Sequence, residues 1–106
     1  MLVEERTYVI RPEYTPAQYL EIYASTGALE LQQRVLGRML GYFTTEIGTL
    51  NALVHLWGYD SFEERARRRA LLAQEPAWHT YLDRIRPMLQ SMENRLLQPT
   101  VFSPIR

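Results

Sequence analysis

The chain has 106 residues, 46% of them apolar, and its twelve acidic and twelve basic side chains leave no formal net charge. That size allows one domain with one core, and zero net charge removes the electrostatic basis of non-specific nucleic-acid binding. The absence of cysteine excludes disulfides, thiolate nucleophiles, iron–sulfur clusters and Cys-rich zinc sites, and the absence of lysine among the basic residues excludes a lysine Schiff base.

Leu2 to Ile10 reads as a first strand, rich in Val, Thr and Ile and ended by Arg11-Pro12. Glu4, Arg6 and Tyr8 share one side of it, and Val3, Glu5, Thr7 and Val9 the other. Thr15-Pro16-Ala17-Gln18 has the form of a capping box with proline at the first helical position. A single helix is expected to follow, with Leu20, Tyr23, Gly27, Leu31 and Val35 as its apolar stripe and Gly37 as its stop.

Gly41 to Tyr59, GYFTTEIGTLNALVHLWGY, reads as a β-hairpin with its turn at Ile47, Gly48, Thr49 and Leu50. Pairing about Gly48 and Thr49 sets Thr44 opposite Leu53, Tyr42 opposite His55 and Leu40 opposite Trp57 on one face. Phe43 opposite Val54, Gly41 opposite Leu56 and Thr45 opposite Ala52 make the other face, because side chains alternate with period two. The second face is smooth and aliphatic, as helices packing on a sheet require, so the first, aromatic and polar, is expected to be the open one. Arg6 and Tyr8 are placed with it by analogy.

Ser61-Phe62-Glu63-Glu64 repeats the capping pattern and starts a helix that carries Phe62, Ala66, Arg69 and Ala73 along one side. Pro76 breaks it. A further helical piece holds Trp78, Leu82 and Ile85 on one face and stops at Pro87. Met88 to Leu97 reads as the last strand, and residues 99–106, with Pro99 and Pro104, as an extended tail.

The order β-α-β-β-α-β defines an α+β, ferredoxin-like fold for a single domain over 1–106: an antiparallel sheet in the order 4-1-3-2 with helices on one face. Its open face is expected to carry Tyr42, His55 and Trp57, and an exposed apolar patch of that kind marks an interface. Two copies placed sheet to sheet would cover it, with Tyr42, Trp57 and Tyr59 as dimer contacts.

Three segments of the chain resemble the NIPSNAP domain family of the dimeric α/β-barrel superfamily: EERTYVIRP at Glu4 to Pro12, GYFTTEIGTLNALVHLWGYDSFEERARRRA at Gly41 to Ala70, and ENRLLQPTVFSP at Glu93 to Pro104. The resemblance implies the same fold and a homodimer. It implies no single reaction, since the superfamily spans cofactor-free monooxygenases, haem-degrading and dehalogenase-like enzymes, and amino-acid-sensing domains.

Candidate site residues follow from the mixed face. Tyr42, Thr44, His55 and Trp57, with Arg6 and Tyr8, form a prospective ligand surface for a small apolar or aromatic molecule, and Arg6 or Arg95 could anchor a carboxylate through the planar guanidinium fork. Any catalytic role falls to His55, as a general base near neutral pH. Two readings stand: a homodimeric small-molecule-binding or interaction module, or a cofactor-independent monooxygenase- or isomerase-like enzyme using His55. The run Arg65, Arg67, Arg68 and Arg69 points around most of its helix and reads as a solvated face. With only His55 and His79, no Gly-rich phosphate loop, an acidic N-terminus and no apolar run approaching the ~20 residues of a membrane span, the expectation is a cytoplasmic protein with no metal, flavin or haem, no nucleic-acid partner and no membrane contact.

Overall fold

In the computed structural model, which describes residues 1–106, four strands form one antiparallel sheet. The elements are β1 (Leu2–Ile10), α1 (Pro16–Ser25), α2 (Ala28–Leu36), β2 (Arg38–Thr44), β3 (Ala52–Tyr59), α3 (Phe62–Ala73), α4 (Pro76–Ile85), a short 3-10 turn (Arg86–Met88) and β4 (Leu89–Leu97). The sheet order is β2-β3-β1-β4, the expected ferredoxin-like topology. No helix is long and apolar enough to cross a membrane.

Local chemistry accounts for the helix ends. Thr15 caps α1 through Gln18 N–H, and the Gln18 side chain accepts from Thr15 N–H in return. Ser61 accepts from Glu64 N–H at the start of α3, and Pro76 opens α4 at its first turn. The single helix expected before the hairpin is two helices. Gly27 takes a left-handed conformation at φ 84°, open to glycine without steric cost, and turns the chain between α1 and α2. The buried positions are therefore Tyr19 and Tyr23 on α1, and Ala28, Leu31, Val35 and Leu36 on α2.

The hairpin register holds from Thr44↔Leu53 through Tyr42↔His55 to Gly41↔Leu56, although the connection is longer than a tight turn, with strands ending at Thr44 and resuming at Ala52. Leu40 is not opposite Trp57 as expected. The register shifts between Met39 and Gly41, so that Met39 pairs with Trp57 and packs against the core, while Leu40 turns towards Gly58.

The larger correction concerns the faces. The side bearing Tyr8, Leu53, His55, Trp57 and Tyr59 is the one that the protein's own helices cover, and these residues join Tyr19, Tyr23, Leu31, Leu36, Leu72, Trp78, Tyr81 and Ile85 in or beside one core. Tyr42, Trp57 and Tyr59 thus do not form an open surface for a second copy. The physical reason is complementarity of bulk: the helices present aromatic rings, and these fill the space above a sheet face of similar rings. Tyr23 lies against Tyr42 at 5.2 Å and against Tyr81 at 5.9 Å between centroids. Open instead is the aliphatic side, where Val54 and Leu56 are half-buried and Phe43, its ring folded over Gly41, remains 52% exposed.

Candidate functional site

A cavity of about 200 Å3 lies between the sheet and the helices. Arg6 and Tyr8 of β1, Tyr42 of β2 and His55 of β3 form its floor. Tyr19 of α1, Gln32 of α2, Arg69 of α3, and Trp78, Tyr81, Leu82 and Ile85 of α4 form its roof, with Arg86, Leu89 and Met92 on the β4 side. Met92 is 57% exposed, so the cavity reaches the surface beside β4. Of the six expected ligand residues, Arg6, Tyr8, Tyr42 and His55 are brought together in its wall. Thr44 is exposed at the end of β2 and Trp57 lies fully buried behind His55; neither lines the cavity.

His55 is held from three sides. The Tyr42 ring stacks on it with centroids 4.5 Å apart and planes 10° from parallel, and Tyr8 meets it edge-on at 5.0 Å. Trp57 Nε1–H donates to Nδ1 at 2.7 Å. Burial, reinforced by the positive charges of Arg6 and Arg69, pushes the imidazole pKa down to about 3, so the ring is neutral. An indole nitrogen only donates, and a neutral imidazole has one donor and one acceptor nitrogen, so Nδ1 is the acceptor and the proton sits on Nε2. The one basic lone pair of His55 is occupied. What the ring offers is an N–H donor, and Nε2 is buried without a partner.

A charged cluster adjoins the histidine. Glu4 is fully buried, and its Oε2 accepts from Arg65 Nη2 at 2.6 Å, Asn94 Nδ2 at 2.8 Å and Arg6 Nη1 at 3.1 Å. Desolvation pulls its pKa up, but the hydrogen bonds of Arg65 and Asn94 and the charges of Arg6 and Arg65 outweigh that and hold it below the ordinary value. Arg6 also donates from Nε to the Tyr8 hydroxyl at 2.9 Å. Unlike Arg6 and Arg65, Arg69 makes no ion pair; its Nη1, like Arg65 Nε, is buried without a hydrogen-bond partner, and burial and the Arg6 charge lower its pKa. Leaving such a donor unsatisfied costs about 1–3 kcal/mol.

Arg69, read from the sequence as part of a solvated arginine face, lines the cavity instead. On α3 the inward positions are Arg65, Arg69 and Leu72, whereas Phe62 is 58% exposed and Ala66 faces solvent, so half of the arginine run belongs to the interior. The available signal was the spacing of Arg65, Arg69 and Leu72 at i, i+4 and i+7, one side of a helix. Trp78, Leu82 and Ile85 were legible as a helix face but not as cavity wall, and Tyr81 beside them was not singled out. Arg95 lies outside this site, 3.7 Å from Glu5 on the open side of the sheet.

The NIPSNAP family model matches residues 3–104, nearly the whole chain. The chain belongs to the NIPSNAP family. A NIPSNAP family protein from Agrobacterium tumefaciens is similar in structure with a TM-score of 0.93 at 42% identity, over 99% of this chain and 98% of that one. An uncharacterized NIPSNAP-like domain protein from Burkholderia xenovorans gives 0.88 at 46% identity, over 97% and 88%. Among curated relatives, the NipSnap homologue of Dictyostelium discoideum is 34% identical over 91% of this chain. This chain covers only 41% of that relative's length, so the relative contains much besides the domain described above. A cofactor-independent oxygenase from Streptomyces nogalater shares the fold alone, with a TM-score of 0.59 at 13% identity.

Proposed function

We propose that this NIPSNAP domain is a small-molecule-binding module whose site is the cavity between sheet and helices, with His55 acting as a hydrogen-bond donor to the ligand. The observation that carries this reading is the wall itself: aromatic rings enclose a space into which a polar group can be received, next to buried donors of His55 and Arg69 that have no protein partner. The same geometry weighs against general-base catalysis by His55, because its acceptor nitrogen is taken by Trp57. Saturation-transfer NMR with a set of one-ring aromatic probes, neutral and charged, should give signals in the wild type that disappear in Met92→Trp, which adds bulk at the mouth. Silence across the set, or signals indifferent to Met92→Trp, would remove the cavity as the binding site.

For assembly we propose a homodimer built through the aliphatic face, in place of the aromatic one first expected. Its support is the half-exposed Val54 and Leu56 and the exposed Phe43 on a sheet side that no helix covers. Sedimentation velocity at micromolar concentration should show a dimer, and Phe43→Asp should shift it to monomer without loss of helix signal. A wild-type monomer would overturn this arrangement.

A further inference from the structure

Resting on the cavity-binding reading, we infer that the ligand is a small organic carboxylate, its acid group seated between Arg69, Arg6 and the His55 N–H and its apolar or aromatic body lodged among Tyr42, Trp78 and Tyr81. The argument begins from charge. Glu4 is the one carboxylate in the cluster; its Oε2 accepts from both Arg6 and Arg65, and its Oε1 is buried without a hydrogen-bond partner. One carboxylate against the three guanidinium groups of Arg6, Arg65 and Arg69 leaves an excess of two positive charges, and Arg69 is the group that makes no ion pair.

A free guanidinium on a protein surface is solvated and calls for no explanation. Arg69 is placed otherwise, with Nη1 buried beneath the helices and Arg6 as a like-charged neighbour. For packing alone, Leu or Met at this position would bury the same stem without the repulsion. An anion in the adjoining cavity would satisfy the guanidinium and the His55 N–H together, since one carboxylate has two oxygens and accepts from both a planar fork and a separate donor.

The cavity sets the rest of the class. At about 200 Å3 the cavity lies below the ~300–1,000 Å3 of ordinary ligand pockets, which suits a one-ring or short-chain acid and not a nucleotide or a lipid tail. Most of the wall is apolar or aromatic, so inorganic phosphate, solvated on all sides, would leave these surfaces uncovered. A neutral amide of the same shape would place an NH2 group against arginine donors and lose one acceptor.

Titration calorimetry with benzoate, its neutral counterpart benzamide, and inorganic phosphate tests the assignment. Benzoate should bind at least tenfold more tightly than benzamide, and phosphate should not compete at equal concentration. Arg69→Met should lower benzoate affinity at least tenfold and erase the preference over benzamide, while Arg67→Met, on the exposed side of α3, should change neither. Arg69→Met should also fold with an unchanged or raised Tm, because it removes a repelled charge; that outcome separates a ligand seat from a structural cation. Equal binding of benzoate and benzamide, with Arg69→Met without effect, would overturn the carboxylate assignment and leave the cavity reading standing. Phosphate binding at least as tight as benzoate would overturn the organic acid in favour of a phosphate source. No binding by any of the three, with Met92→Trp identical to wild type, would bring down both.

Discussion

Lowering the pH from 7.5 to 5 should cost the folded protein about 2 kcal/mol through His55 alone. The unfolded chain takes up a proton at this residue near the ordinary value of 6.5, whereas the folded one, with the ring buried beside Arg6 and Arg69, does so near 3. Between those values the unfolded state binds more protons, so stability rises with pH, and the contribution is complete above 6.5 and lost progressively as pH falls towards 3. The slope is about 1.4 kcal/mol per pH unit, set against typical domain stabilities of about 5–15 kcal/mol. Urea denaturation at pH 7.5, 6 and 5 would measure it. His55→Asn keeps an acceptor where Nδ1 receives the Trp57 N–H and removes the titration, so its stability should be level across this range. A wild type insensitive to pH here, or a variant with the wild-type slope, would mean that the imidazole is not held neutral.

The legible part of the molecule was its order of elements. Capping residues Thr15 and Ser61, the proline breaks and the parity of Tyr42 with His55 are local signals, and local chemistry determined them. The choice of sheet face was not local. Both sides of β3 carry apolar residues, Leu53 and Trp57 on one and Val54 and Leu56 on the other, so alternation does not say which side the helices take. The decision lay in the helices, whose Tyr19, Tyr23, Trp78 and Tyr81 match the rings of Tyr8, Tyr42 and Trp57. A polar residue on that side then looked like a sign of exposure. Within the fold, His55 Nδ1 accepts from Trp57, and Glu4 Oε2 from Arg6, Arg65 and Asn94, whereas His55 Nε2 and Glu4 Oε1 are buried without a partner.

The site inherits its character from that same mistaken sign. Arg65 and Arg69 lie four residues apart on α3, about one turn of helix, and share its inward side; Arg65 meets Glu4, which the parity of β1 carries to the helix side. Residues in three parts of the sequence, none interpretable alone, thus make one electrostatic unit. The arginine run reads as a solvated face only until Glu4 is known to be buried beneath it.

Glu4→Gln should destabilise the fold by about 3–5 kcal/mol, since breaking a buried pair by removing one partner leaves the other charge uncompensated. Here more than one charge is left: Arg6 and Arg65 both lose the carboxylate they share, with Arg69 nearby. Their side chains are 15% and 18% exposed, which admits some solvent screening and places the expectation towards the low end of that range. Glutamine preserves the shape and one acceptor oxygen for Asn94, so the loss reports charge and not volume. Because the folded pKa of Glu4 is depressed, its contribution is full above the unfolded value of 4.5 and declines as pH falls through the lower folded value, so the gap between wild type and variant should narrow only in acid. Adding Arg69→Met to Glu4→Gln should recover part of the loss, with a coupling above about 0.5 kcal/mol, because the two sites share one field. Strict additivity of the two changes, or a Glu4→Gln loss under about 1 kcal/mol, would show that the carboxylate does not serve as counter-ion to the arginines around the cavity.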